Sequence, residues 1–295
     1  MSVPAAFLGI ILIWSTTPLA IQWSSGGVGY LFGLSARMAL AALFCLLLIV
    51  LLRIPFRWHT AARRTYLASS LGLYGAMMAV YWGAQFIPSG LIAVIYGLLP
   101  LVTTLVSTLV MGESLWQPGK WVGMVISLAG LLIIFKPDSP MDHATMVGVG
   151  AVFISTVLHA LSMVWVKRQG SQEHPLAVTT GGLLVALPLY LLTWFMIDGH
   201  WPTALNYQNM GAILYLAVIG SVVGFVLFYY ALSRLPADAI ALTTLITPVC
   251  ALLIGYGFNH ERLEPALLMG SMLILFGLIV HQWGNQLWQR VNIKR

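Results

Sequence analysis

Two stretches of this chain decide its fold: YWGAQFIPSGLIAVIYGLLPLVTTLVSTLVMGE at residues 81–113 and YYALSRLPADAIALTTLITPVCALLIGYGFNHE at residues 229–261. At a constant offset of 148, Tyr81 falls on Tyr229, Pro88 on Pro236, Ala93 on Ala241, Pro100 on Pro248 and Glu113 on Glu261. After a one-residue gap, Pro118 meets Pro265, Gly123 meets Gly270 and Gly130 meets Gly277. Chance likeness between two apolar helices runs through Leu, Val and Ala. Here the punctuating residues keep register over two helices and a loop, which marks an internal duplication. The opening helices match less clearly, with Ser15-Thr16 set against Ser155-Thr156 at a different offset.

The flanking chain has the same apolar character. Of its 295 residues, 60% are hydrophobic and only 7% charged, against roughly 25% charged in soluble domains. A spanning helix needs about 20 mostly apolar residues. Ten such segments can be marked: 4–23, 29–52, 65–86, 89–112, 118–135, 145–167, 176–196, 208–232, 236–258 and 265–287. A transmembrane β-barrel would show alternating strands of about ten residues; these runs are continuous and twice as long. The expected fold is therefore all-α and integral to the membrane, with ten transmembrane helices. Residues 1–137 and 144–290 form its two repeats. Five helices is an odd number, so the second repeat enters the membrane inverted. Inverted repeats build a binding site at their interface, and alternating access follows from rocking one half against the other.

Charge sets the orientation. With a cytoplasmic N-terminus, the inner segments hold eleven basic residues, among them Arg53, Arg57, Arg63, Arg64, Lys167, Arg168 and Arg234, and the outer loops hold only Lys136 and Arg262. The positive-inside rule then places both termini in the cytoplasm. The net charge of +6 is a topology signal; no basic patch has the density that nucleic-acid binding requires. The first apolar run lacks a basic leader, so it is expected to be retained as a helix. Cys45 and Cys250 fall inside apolar runs and read as small buried hydrophobes.

These features together resemble the drug/metabolite transporter superfamily, specifically its EamA-type ten-helix proteins. The likeness covers essentially the whole chain. It rests on the two five-helix repeats, the Trp14-Ser15 pair, Arg37 in the second helix, the Pro88–Pro100–Glu113 series with its echo, and the Gly-rich stretch Gly123–Gly130. The resemblance implies an inner-membrane transporter of amino acids or related metabolites, drugs, choline or sugars. It also implies a central cavity surrounded by helices three, four, eight and nine.

Several residues are candidates to carry transport. Pro100 and Pro248 each lie midway along an apolar run. A proline inside a helix frees the carbonyl four residues earlier, here those of Tyr96 and Thr244. Such a carbonyl either faces a cavity, where a substrate ammonium can meet it, or is satisfied by a neighbouring hydroxyl. Tyr74, Met78, Tyr81 and Gln85 fall on one helical stripe. They form either an aromatic cavity wall or, at the outer end, part of an interfacial belt. Trp14 and His159 lie within spans. His159 is either a proton carrier or a neutral core histidine bonded to a carbonyl. Arg37, the one basic residue well inside a span, has three readings: snorkelling outward, clamping a substrate carboxylate, or bonding helix ends structurally. All eight acidic residues sit in loops or at helix ends. This argues against a buried carboxylate relay and for facilitated diffusion, with Glu113 and Glu261 capping neighbouring elements. The Gly119/Gly123 pair suits close helix packing within the chain, or a homodimer face.

The expected function is an inner-membrane exporter of amino acids or related small metabolites. The alternative is a drug, nucleotide-sugar or other metabolite transporter of the same fold. A membrane enzyme would need clustered His, Asp, Glu or Ser near one face; the histidines are scattered, and no metal spacing, cofactor motif or nucleophile motif is present. A receptor or scaffold would usually need a soluble domain or long tail. The expected partners are a small-molecule substrate and the lipid bilayer.

Overall fold

The structure is a computed structural model that describes residues 2–112, 118–134, 143–170, 172–235, 243–261 and 265–292. Among these residues all regular structure is helical. In chain order the elements are α1 (Val3–Ser25), α2 (Tyr30–Leu51), α3 (Thr60–Ser70), a π-helical segment π1 (Leu71–Ala76), α4 (Met77–Gly83), α5 (Ser89–Tyr96), α6 (Leu99–Met111), α7 (Pro118–Ile134), α8 (His143–Arg168) and α9 (Pro175–Ile197). They continue with α10 (Tyr207–Tyr215), π2 (Leu216–Val223), α11 (Gly224–Arg234), α12 (Thr243–Asn259) and α13 (Pro265–Asn292).

Each apolar segment is helical over most of its described part. Among the described residues six stretches are long and apolar enough to cross a bilayer: Val3–Ser25, Tyr30–Leu51, Ser89–Met111, His143–Arg168, Pro175–Ile197 and Tyr207–Arg234. Shorter apolar helices cover Ile246–Asn259 and Pro265–His281. Leu43, Leu47 and Val50 on α2 and Leu192, Phe195 and Met196 on α9 point outward, while Ser15, Thr65, Ser155, Thr180 and Ser221 are buried. Apolar outside with small hydroxyls inside suits lipid as the solvent, where polar groups must find partners within the protein. The chain is a multi-pass membrane protein.

The duplication read from sequence has counterparts in the backbone. Pro118 and Pro265 each open a helix, where a fixed φ suits the first turn and no N–H is missed. Gly112 and His260, 148 apart, both have positive φ, 71° and 52°. Both follow directly on helices α6 and α12 and end them in the left-handed conformation. Segments π1 and π2 interrupt corresponding helices.

Two helix pairs fix the relation of the parts. A Cβ on Gly123 would lie 2.4 Å from the Gly277 carbonyl oxygen, and one on Gly130 would lie 2.6 Å from that of Gly270. Moving up α7 is moving down α13, so the pair is antiparallel and packed backbone on backbone. Ser127 Oγ seals the crossing by donating to the Ile274 carbonyl at 3.3 Å. The Gly119/Gly123 face is thus used within the chain, with Gly119 against Gly284. In the second pair, Gly90 meets Leu252 and Gly97 meets Pro248, so α5 and α12 are antiparallel as well.

The π1 segment is held from outside. Hydroxyls of Ser162, Tyr190 and Ser155 donate to the carbonyls of Ala68, Leu73 and Ala76 respectively. A π turn skips ordinary i→i−4 partners, and these side chains from α8 and α9 bond carbonyls within and beside it.

Candidate functional site

A cavity of about 80 Å³ lies at the centre of the bundle, lined by Trp14, Arg37, Tyr96, Leu99, His159, Phe225 and their neighbours. The third and fourth spans contribute Met77, Val80, Ile92, Ala93 and Tyr96, the eighth Gly220 and Phe225, and the ninth Thr247. The first, second and sixth add Trp14, Arg37 and His159. Ligand clefts are ordinarily roughly 300–1,000 Å³, so admitting a metabolite requires these helices to part.

Among the described lining residues Arg37 is the one charged group, and it is 1% exposed. Its Nε donates to Ser221 Oγ at 2.9 Å and its NH1 to the Tyr81 hydroxyl at 3.2 Å. The guanidinium carbon sits 5.8 Å from the Tyr81 ring centroid. Ser24 Oγ lies 3.3 Å from the same hydroxyl and orients it. Both partners are neutral side-chain hydroxyls, and no carboxylate pairs with Arg37 among the described residues. A desolvated cation held only by neutral groups favours an anion.

On the other side of the cavity is an aromatic cluster. His159 lies 6.1 Å from Trp14, 5.6 Å from Phe228 and 6.2 Å from Tyr96 by ring centroids. Its Nδ1 is buried with no hydrogen-bond partner among the described residues, so the carbonyl bond expected of a core histidine is not formed there. The Tyr96 hydroxyl lies 2.6 Å from Ser155 Oγ. Because Ser155 spends its own hydrogen on the Ala76 carbonyl, Tyr96 is the donor of that pair.

The expected residues are placed unevenly. Trp14, Arg37, Tyr96 and His159 line the cavity. Tyr81 stands behind Arg37, fully buried. Tyr74 and Met78 lie off the cavity. The Tyr74 hydroxyl bonds Thr193 at 2.7 Å, its ring meets Tyr190 at 5.0 Å, and Met78 packs on the core. Met77 and Val80 stand in their stead. The cause is π1: its wider turn breaks the 3.6-residue period, so a stripe projected through it lands one residue out.

The proline expectation is also corrected. The fourth span is broken at Gly97–Leu98, ahead of Pro100, which becomes the second residue of α6. There an N–H would be unpaired in any case. Pro248 does lie inside a helix, buried, with its ring against Gly97. The break in one span thus faces the proline of the other. Thr244 lies in α12, but its side chain is outside the described residues, as are Glu113 and Pro236.

Sequence reasoning missed a polar cluster at the end of the bundle opposite the basic loops. Glu261 accepts from Ser89 N, Ser89 Oγ and Gly90 N at 3.1, 2.6 and 3.1 Å, capping α5 from the far end of the chain. Asn259 donates to Glu261 and to Gln22, and accepts from Trp23 Nε1. The one available signal was the expectation that Glu261 caps a neighbouring element, which it does.

Comparison with known proteins fits this geometry. A family model described as the EamA-like transporter family matches residues 2–136 and again 146–281. An uncharacterized transporter of Archaeoglobus fulgidus is 26% identical over 277 residues, 92% of this chain and 95% of its own length. The uncharacterized transporter YoaV of Bacillus subtilis is 23% identical, covering 95% of this chain and 97% of its own. The uncharacterized inner membrane transporter YedA of Escherichia coli is 26% identical over 69% of this chain and 65% of its own. A solved crystal structure superposes with a TM-score of 0.72 at 18% identity, over 97% of this chain and 99% of that one.

Proposed function

Since the chain belongs to the EamA-like transporter family, we propose that it exports amino acids or closely related small carboxylates across the cell inner membrane by alternating access. The observation that carries this reading is Arg37: a buried guanidinium on the cavity wall, oriented by two hydroxyls and matched by no carboxylate among the described residues. Its planar fork suits a substrate carboxylate. The aromatic wall of Trp14, Tyr96 and His159 then receives the rest of the molecule. A nucleotide sugar would bring two phosphates to a cavity whose described lining holds one guanidinium, which favours the carboxylate.

Alternating access in this reading comes from ten spans arranged as two inverted repeats, residues 1–137 and 144–290. The antiparallel packing of α7 on α13 and of α5 on α12 supports it, as do the two successive family matches. The charge asymmetry places both termini in the cytoplasm. A thermal-stabilisation screen of the purified protein against amino and organic acids, followed by liposome flux of the hits, tests the substrate class. Stabilisation by carboxylates that is lost when the carboxylate is amidated is the expected result.

A further inference from the structure

The basic end of the bundle holds a second cavity, of about 500 Å³, between the end of α8, the start of α9, the end of α11 and Thr65 of α3. Its wall includes Lys167, Glu173, Tyr229 and Arg234. The Lys167 ammonium donates to the Leu235 carbonyl at 2.8 Å, and the Arg234 guanidinium lies over the Tyr230 ring at 3.9 Å. Glu173 is engaged by His59 at 3.3 Å. Two cations and one carboxylate among the described lining residues leave this mouth net positive, which favours an approaching anion.

The two cavities run along the same helices. On α11 Phe225 lines the central one and Tyr229 the basic-end one, about 6 Å apart at 1.5 Å per residue. On α8 His159 and Val166 do the same, about 10 Å apart. Phe228 lines neither cavity. It is buried between them, with its ring 5.4 Å from Trp14 and 5.6 Å from His159 on the central side and 5.2 Å from Tyr229 on the other. These are aromatic contacts that a rotamer change breaks singly. At the opposite end, α1, α5 and α12 are tied by the hydrogen-bonded cluster of Gln22, Trp23, Asn259 and Glu261. The two closures thus differ in kind.

We infer that the basic-end cavity is the loading chamber of the transport route and that Phe228 is the gate between it and the central site. The inference rests on the transport reading above for its substrate, a small carboxylate, but its test needs no substrate. In a Cys45→Ala, Cys250→Ala background, Val80→Cys reports access to the central cavity. The basic side is the one from which Ser233→Cys is labelled. Modification of Val80→Cys by a small charged methanethiosulfonate from that side should be slow with Phe228 intact. It should rise about tenfold with Phe228→Ala, as when a minor open state moves within the roughly 0.1–10% range. Phe228→Leu, which keeps bulk and guards against misfolding of the alanine variant, should react at an intermediate rate. An unchanged rate in both variants overturns the gate, as does an equal rise from both sides of the membrane. Failure of carboxylate flux with the accessibility result intact would overturn the transport reading alone.

Discussion

Arg37 Nε and Ser221 Oγ lie 2.9 Å apart, joining the second span to the π segment of the eighth beside the central cavity. Together with the Tyr81 hydroxyl, this contact holds the guanidinium in one orientation. Ser221→Ala and Tyr81→Phe each remove a hydrogen bond to a charged group, worth about 1.5–3 kcal/mol. Each should weaken carboxylate binding by about tenfold or more, measured as the ligand-induced shift in Tm. Undiminished shifts in the double variant would show that the fork needs no orientation.

The two prolines are predicted to behave differently. Pro100 stands in the first turn of α6, where its missing N–H costs nothing, so Pro100→Ala should retain most of the flux. Pro248 stands within α12 against Gly97, and Pro248→Ala should slow flux while leaving membrane insertion intact. Equal effects in liposome assays would refute the distinction.

Glu261→Gln should lower stability. Its carboxylate receives Ser89 N, Ser89 Oγ, Gly90 N and Asn259 Nδ2, and an amide presents one acceptor oxygen where the carboxylate presents two. The loss is about 1–2 kcal/mol, the scale of a helix cap, read as a lower Tm in detergent. An unchanged Tm would show that the cap is energetically idle.

Much of the architecture was legible because its signals are local. Pro118 and Pro265 mark helix starts through a fixed φ, and the Glu113/Glu261 register led to the cap that Glu261 makes. The Gly119/Gly123 spacing announced close packing, though not which helix the pair meets. The cavity wall was read one residue out at Met78 and Tyr81, because no residue in Leu71–Ala76 announces a π turn. Ser221 went unremarked since a lone serine in an apolar run ordinarily bonds its own helix. Asn259 and Gln22 were invisible for another reason: they meet across 237 residues of chain.

Coupling follows from the absence of acidic groups on the described cavity wall. Flux should run downhill without a proton gradient, and an imposed gradient should drive no accumulation. Accumulation that His159→Gln abolishes would make this histidine, whose Nδ1 has no partner among the described residues, the proton carrier and refute the facilitator reading.

Topology is tested by labelling intact cells. Cysteines at Ser25 and Asp198 should react with an impermeant reagent, and one at Arg64 should not. Labelling at Arg64 from outside would reverse the orientation.

The central claim is that the Arg37 guanidinium receives a substrate carboxylate. It is tested most directly by counterflow of a stabilising amino acid in liposomes carrying Arg37→Gln, which keeps hydrogen-bonding capacity and removes the charge. The account predicts flux reduced by about a hundredfold, as for loss of a buried charge-assisted contact of about 3 kcal/mol, with the variant still folded and monodisperse. Flux at the wild-type rate in Arg37→Gln would contradict it.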